Sequence, residues 1–350
     1  MADDLSDVRP LSPEAVSEDA ATEQALRPKS LAEFIGQPAL KEHLRVMIEA
    51  AKQRQDAACD HMLFCGPPGL GKTSMAGIVA SELGVGFRVT SGPALERPGD
   101  LAAILSNLER GDVLFVDEIH RLPRTVEELM YPALEDFKID IVIGKGPAAR
   151  SVRIEIARFT LIGATTRPGL ITGPLRDRFG FISRFDYYSP EALAEIVKRS
   201  ASLLSLRIDE GAAAEIGLRS RGTPRIANRI LRRVRDFAQV EGAEVITRSI
   251  ACQALELFEI DSRGLDRTDR AILKAVVTKF GGGPVGLQTL SAVVGEDPET
   301  IEEMYEPYLI QQGFMHKTPR GRVATPLAYQ HIGVEHPLEA ELLSIFDQEV

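Results

Sequence analysis

Two short strings hold the residues able to do chemistry. GPPGLGKT, residues 66–73, spells G-x-x-x-x-G-K-[ST], the spacing of a loop that cradles phosphates. Gly66, Gly69 and Gly71 let backbone N–H groups curl around a β-phosphate. Lys72 reaches the β- and γ-phosphates, the Thr73 hydroxyl can ligate Mg²⁺, and Ser74 follows on the same helical turn. VLFVDEIH, residues 113–120, supplies the other half. An apolar strand ending in two acids puts Asp117 beside the magnesium and Glu118 toward an attacking water, which it can polarise. Asp117 lies 45 residues after Lys72. The chemistry expected is transfer of a phosphoryl group from ATP to water, with ATP and Mg²⁺ as the implied cofactors. His120 could be a ligand, but it reads better as a neighbour of this site or as a surface histidine.

Two further strings point to an ATPase that works in a ring. IGATT, residues 162–166, ends an apolar strand with threonines where a γ-phosphate sensor would sit. Thr166 is preferred, with Thr165 the alternative. GPLRDRFG, residues 173–180, offers Arg176 and Arg178. Phosphoryl transfer gains much from an arginine delivered in trans, and a head-to-tail ring lets each subunit supply one to its neighbour. The competing reading pairs such an arginine with Asp177 or Asp186 as a surface ion pair.

These residues need elements to hold them. From about Arg27 to Tyr188 strand-like runs alternate with helical stretches, the signature of an α/β domain with a largely parallel sheet. HMLFC (61–65), VLFVDE (113–118) and FTLIGA (159–164) have the continuous apolar character of buried central strands. A helix is expected over Lys72–Leu83. Residues 189–260 change to four helices, announced by Ser189-Pro190, Asp209, Thr223-Pro224 and Thr247 at cap positions. RSRGTPRIANRILRRVRDF carries seven arginines from Arg219 to Arg235. Most are expected on a solvated helix face, with at least one given other work. After the polar linker DSRGLDR (261–267), helical patterns at Asp269–Phe280, Leu287–Val294 and Glu299–Gln312 precede a strand–turn–strand over 313–325. Three helices and a hairpin outline a winged helix.

The 350 residues carry a formal charge of −10. Seven acids and one base, Arg9, place −6 of that in the first 26 residues, so residues 1–25 read as a disordered acidic tail. There is no run of eighteen apolar residues and no apolar leader, which argues for a cytoplasmic protein without a membrane span. Cys59, Cys65 and Cys252 lack C-x-x-C spacing and give no support to a zinc site.

Together LRPKSLAEFIGQ, GPPGLGKTS, DEIHRL, EDFKIDIVIGKGPAARSVRIEI, GATTRPGLITGPLRDRFG, RGTPRIANRILRRVRDFA and GGGPVGL…EPYLIQQGF…KTPRGR resemble the RuvB family of AAA+ ATPases, from about Leu26 to Tyr329. The resemblance implies an α/β AAA+ P-loop ATPase core (26–188), a four-helix lid domain (189–260) and a C-terminal winged-helix domain (261–335); it does not cover the acidic tail or the end after Gln330, where residues 336–350 are expected to form a tail. It implies an ATP-driven, sequence-independent DNA translocase that branch-migrates Holliday junctions in recombination, repair and the SOS response. The expected assembly is a homo-hexamer around duplex arms, loaded by the junction-binding partner RuvA and serving a junction resolvase indirectly. By the same resemblance, Thr166 matches the γ-phosphate sensor, Arg178 the finger entering the neighbouring site and Arg225 a second sensor from the lid. Arg225 follows a cap and a proline, so it can project toward nucleotide while the other six arginines are expected on outer faces. Leu26, Arg27 and Tyr188 match positions framing adenine and ribose, and Glu135, Asp136 and Phe137 match a further nucleotide-contacting segment.

Residues 137–156 read as two apolar strands about a glycine-proline turn, with Ile139, Ile141 and Ile143 on one face and Val152, Ile154 and Ile156 on the same face. Projected from the sheet, that face would be exposed and mark a protein interface; core packing is the alternative. The resemblance assigns the hairpin to RuvA, with Ile139, Ile141, Ile143, Val152 and Ile154 as contacts. In the winged helix, Glu299, Glu302, Glu303 and Glu306 make the third helix a poor groove reader. Lys317, Arg320 and Arg322 on the wing are then expected to touch backbone phosphates without reading bases. The rivals are a clamp-loader ATPase, disfavoured by the absent C-x-x-C, and a protein unfoldase, disfavoured because LERPGDLAAIL (95–105) has no aromatic residue for a pore loop. A winged-helix regulator using ATP as a switch would require base-specific binding.

Overall fold

The structure is a computed structural model, and it describes residues 24–54, 58–143 and 150–336. Residues 1–23 of the acidic tail and residues 337–350 lie outside the described residues.

The centre of the first unit is a five-stranded parallel sheet in the order β2-β3-β6-β1-β7. β1 (Met62–Cys65), β3 (Val113–Asp117) and β6 (Thr160–Thr165) are its inner strands, buried almost throughout. This is why they read as unbroken apolar runs. β2 (Phe87–Ser91) and β7 (Phe181–Arg184) are the edges. Their sequences, FRVTS and FISR, mix polar with apolar residues because an edge strand is half solvated, and the sequence reading passed over both. The register sets Cys65 beside Thr165 on one side of β6, with Val116 beside Gly163 on the other. β6 therefore lies between β1 and β3, and the carboxyl ends of all three come together. That edge is where ligands bind in such sheets.

Helices α1 (Pro38–Arg54), α2 (Lys72–Leu83), α3 (Pro98–Ser106) and α4 (Arg124–Glu135) accompany the sheet. One core cluster joins Leu63, Leu114, Val116, Leu161 and Phe159 to Leu101, Leu105, Val126 and Met130. The hairpin β4 (Lys138–Ile143) and β5 (Arg150–Glu155) follows α4. His61 is fixed beneath it. Its ring contacts Leu134 O at 3.1 Å through Nε2, and Leu161 N–H donates to Nδ1 at 3.0 Å.

Two compact units divide the chain. One holds the sheet up to Ile196 together with Thr223–Arg225, and the other holds Val197–Gly222 and everything from Ile226. Four lid helices occur as expected: α5 (Pro190–Leu203), α6 (Glu210–Leu218), α7 (Pro224–Val240) and α8 (Arg248–Leu257). Ser189, Asp209 and Thr247 accept from the N–H groups of Ala192, Ala212 and Ile250. These are the caps that their residue types promised.

The head begins with α9 (Arg267–Lys274), which runs on through a π turn at Ala275–Lys279, and α10 (Leu287–Val294) follows. Pro298–Thr300, a π turn at Ile301–Tyr305 and α11 (Glu306–Gln311) make up the third helical segment. The wing is β8 (Met315–Thr318) and β9 (Gly321–Ala324), with Val285 bridging to Arg322 on its free edge. Leu265, Ile272, Val276, Leu290, Ile301, Leu309, Phe314 and Met315 fill the core of this head.

The expectation that six of the seven arginines stay on outer faces is corrected. Arg219, Arg221 and Arg229 are buried. Arg221 meets Asp269 and, at 3.2 Å, Asp266; its Nε donates to Gly264 O at 2.8 Å, and its guanidinium lies 5.2 Å from the Tyr308 ring centre. Arg219 pairs with Glu215 at 2.6 Å and donates to Ile260 O at 3.1 Å. These are the contacts that seat the linker and the first head helix against the lid.

Candidate nucleotide site and candidate nucleic-acid wing

The loop from β1 to α2 carries its glycines where the backbone turns left-handed. Gly69 has φ 77° and a Cβ there would fall 2.8 Å from the Thr223 side chain; Gly71 caps α2 at φ 97° with Phe34 packed behind it. Only glycine adopts these conformations without strain. The loop so shaped ends in the first turn of α2, where free N–H groups and the helix dipole favour an anion.

Lys72 begins that helix and is buried. Its ammonium donates to Gly66 O and Pro67 O, both at 2.7 Å. Burial pushes the group down to about 8 from an ordinary value of 10.5, while Asp117 pulls upward and Arg225 adds to the fall. A desolvated cation held by carbonyl dipoles is poised to take phosphate oxygens as partners. Thr73 and Ser74 follow, half-buried.

Asp117 ends β3, and its Oδ1 accepts the Glu118 N–H at 3.0 Å. Glu118 has φ 47° and ψ 45°, an uncommon conformation for this residue type. Its carboxylate meets Arg121 at 3.1 Å. Thr165, at the end of β6, is buried; its hydroxyl lies 3.0 Å from His120 Nδ1 and accepts the Arg167 N–H at 3.0 Å. Thr166 is half-buried just beyond it. Oxygen donors suited to Mg²⁺ with substrate phosphates, one hydroxyl (Thr73) and one carboxylate (Asp117), are therefore present on adjacent elements.

Thr223 and Arg225 belong to the same unit as the loop. Arg225 N–H donates to Gly69 O at 3.4 Å, and its Cβ side backs onto that glycine. Tyr188 is buried, with its hydroxyl donating to Leu70 O at 3.1 Å. A Cβ on Gly36 would fall 2.5 Å from its ring. Leu26 is buried and Arg27 exposed.

Arg178 and Glu135, drawn from different strings of the sequence, stand together. The guanidinium pairs with Glu135 at 2.9 Å, donates to Pro174 O and lies 4.5 Å from the Tyr131 ring centre. Neither Asp177 nor Asp186 is the partner that the competing reading suggested. Asp136 is exposed, whereas Phe137 packs edge-on against Phe159.

Two sets of expected contacts are corrected. Ile139 is fully buried and Ile154 half-buried, both packed on the ATPase core, so they are not an exposed interface. Their apolar face is covered because the base of the hairpin lies over Leu134 and Phe159. Val152 is exposed, and the side chains of Ile141 and Ile143 lie outside the described residues. In the wing, Arg322 is buried and held by both carboxylate oxygens of Glu306, itself buried. Lys317 is exposed but pairs with Glu302 at 2.6 Å, leaving Arg320 exposed at the turn. The acidic third helix thus neutralises much of the wing's charge, which residue counting along the chain could not show.

The comparisons with known proteins now bear on this geometry. The family description "Holliday junction DNA helicase RuvB P-loop domain" matches residues 26–185, "RuvB AAA lid domain" residues 188–261 and "RuvB C-terminal winged helix domain" residues 262–333. The chain belongs to the RuvB family. Among solved structures it is similar to the Thermotoga maritima RuvB Holliday junction branch migration motor, at 52% identity and TM-score 0.81 over 90% of this chain and 100% of that one. Two point mutants of the Thermotoga protein match at the same identity, with TM-scores of 0.81 and 0.80, over 89% of this chain and 100% and 99% of theirs. The P-loop core, lid and winged helix expected from the sequence are thereby borne out. RuvB membership makes this an ATP-hydrolysing Holliday junction helicase and supports the motor reading over the clamp loader.

Proposed function

We propose that this RuvB-family chain works as a head-to-tail homo-hexamer in the cytoplasm, drawing duplex arms of Holliday junctions in recombination, repair and the SOS response. The observation that carries the reading is the meeting of Lys72, Asp117–Glu118 and the Thr165–Thr166 edge beyond the carboxyl ends of three adjacent parallel strands, with Arg225 packed on the loop. Lys72 and the loop N–H groups bind and orient the triphosphate, and Glu118 polarises the attacking water. Mg²⁺, held by Thr73 and Asp117, would neutralise charge on the phosphates. Thr166 is the γ-phosphate sensor in this reading, because the Thr165 hydroxyl is already engaged by His120 and the Arg167 N–H.

Arg178 completes a neighbouring subunit's site, and Glu135 presents it from its own chain. Leu26, Arg27 and Tyr188 frame the base and ribose. Domain limits follow the sequence reading: core 26–188, lid 189–260 and head 261–335. The hairpin beyond its buried base, from Val152 outward, docks RuvA, and a junction resolvase acts downstream. Arg320, with Lys317 after release from Glu302, touches phosphates without reading bases. Among the described residues no helix is long and apolar enough to cross a membrane.

The test is splitting of a mobile synthetic four-way junction. Splitting that requires both ATP and RuvA is the expected result. Hydrolysis without splitting would overturn the motor reading and leave only an ATPase.

A further inference from the structure

Glu118 has a demanding task and a weak hold. Its side-chain ion pair is with Arg121 three residues on, and both are well exposed, a pairing worth little in water. The turn that carries it, Ile119–Arg121, must therefore be fixed by something else. Ile119 is buried in the core cluster and anchors one side of that turn. His120 anchors the other through its contact with Thr165.

Thr165 is bonded on three sides. Its carbonyl accepts the N–H of Gly66, the first residue of the phosphate loop, at 3.0 Å. Its hydroxyl oxygen accepts the Arg167 N–H beyond the sensor position. Burial favours the neutral ring, and in the neutral ring Nδ1 can accept the Thr165 hydroxyl proton while Nε2 carries its own. One buried residue on the central strand so touches the phosphate loop, the sensor segment and the turn holding the catalytic carboxylate.

We infer that His120 and Thr165 are a positioning pair that fixes Glu118 for water attack and ties it to the sensor strand. Neither touches the reacting atoms. The inference rests on the ATPase reading of the site, and it goes beyond it by assigning work to two residues other than the phosphate-binding loop and the acid pair. Misplacing a reacting group by about 1 Å costs up to about 100-fold in rate, which sets the scale of the effect.

The experiment is steady-state ATP turnover and equilibrium ATP binding for His120→Ala, Thr165→Val and the double variant, in the full-length protein. Thr165→Val keeps the shape of the side chain and removes only the hydroxyl, so folding is preserved. Each single variant is expected to lower kcat by roughly 10- to 100-fold with ATP affinity within about twofold. The double variant should be no worse than the poorer single, because the two residues act as one link. Thr165→Ser and His120→Asn, which retain a hydroxyl and an acceptor near Nδ1, should recover most of the rate. Wild-type kcat in Thr165→Val, losses that multiply in the double variant, or affinity falling in step with kcat would each overturn the pairing. Absence of turnover in the wild-type protein would instead remove the ATPase reading beneath it.

Discussion

Lys72 and Arg221 are buried to nearly the same degree, 7% and 5% exposed, yet their surroundings differ in kind. Lys72 is bonded to two backbone carbonyls of its own loop, and among the described residues no carboxylate pairs with it. Arg221 meets two carboxylates, a backbone carbonyl and an aromatic face. Burying a charge is costly unless it is paired, and the cost shows in Lys72, whose ammonium is pushed down to about 8. The comparison teaches how to read a buried cation. One whose countercharge is built in holds two pieces of chain together, and one hydrogen-bonded only to carbonyl dipoles is arranged for an anion still to arrive. Arg322, closed by Glu306, stands with Arg221. Arg178 lies between the two, tied to Glu135 but with its Nε atom buried and without a hydrogen-bond partner.

The contrast breaks first if Lys72→Ala retains nucleotide. Loss of ATP affinity by at least about 1000-fold is expected from removing the charge that meets the β- and γ-phosphates, measured by titration with a fluorescent ATP analogue. Arg178→Ala should leave that affinity unchanged and lower turnover by about 1000-fold. Mixing it with a Glu118→Gln subunit should restore part of the rate, since one of the two kinds of mixed interface pairs an intact finger with an intact glutamate; mixed rings as dead as either parent would place the finger in cis.

On the other side of the contrast, Arg221→Met should destabilise the lid and head by about 3–5 kcal/mol, the cost of leaving buried carboxylates unpaired. Denaturant unfolding would read it, and adding Asp269→Leu should recover much of the loss. A smaller effect is expected at His61, whose ring nitrogens are both bonded and whose pKa burial lowers. The unfolded chain takes up a proton below the ordinary value of 6.5 and the folded one resists. Stability from this residue is therefore present above that value and lost as pH falls below it. Thermal midpoints between pH 7 and pH 5 should fall less steeply in His61→Gln. Smallest is Arg320→Ala, expected to weaken duplex binding a few-fold at low salt, equally across sequences, and to reduce the salt slope by about one. Arg322→Ala should instead lower stability, and a pure DNA-binding defect there would show that its pair with Glu306 opens on the duplex.

Much of the nucleotide site was legible because its parts are local. A glycine-rich string between a strand and a helix, and an acid pair ending an apolar strand, fix their geometry within a few residues of chain. The inner strands β1, β3 and β6 were readable for the same reason, being buried on both faces, while the edges β2 and β7 were not. His120 was placed near the site but given no partner, since Thr165 lies 45 residues away. The hairpin misled because alternation of isoleucines looks alike on an exposed face and on one laid over a core; only the packing of Ile139 separates the two.

By itself the sequence determined the motifs, the order of the three domains, the lid caps and the family. Tertiary structure decided the fate of each charge. RSRGTPR gives no hint that Arg219 and Arg221 are buried in the lid and head, nor KTPRGR that Arg322 is closed by Glu306 and Arg320 left open. Helical and strand periodicity reports which face a residue occupies. The counter-ion of a buried charge can come from any distance along the chain, here from Asp269 to Arg221 and from Glu306 to Arg322, and only the folded chain brings it there.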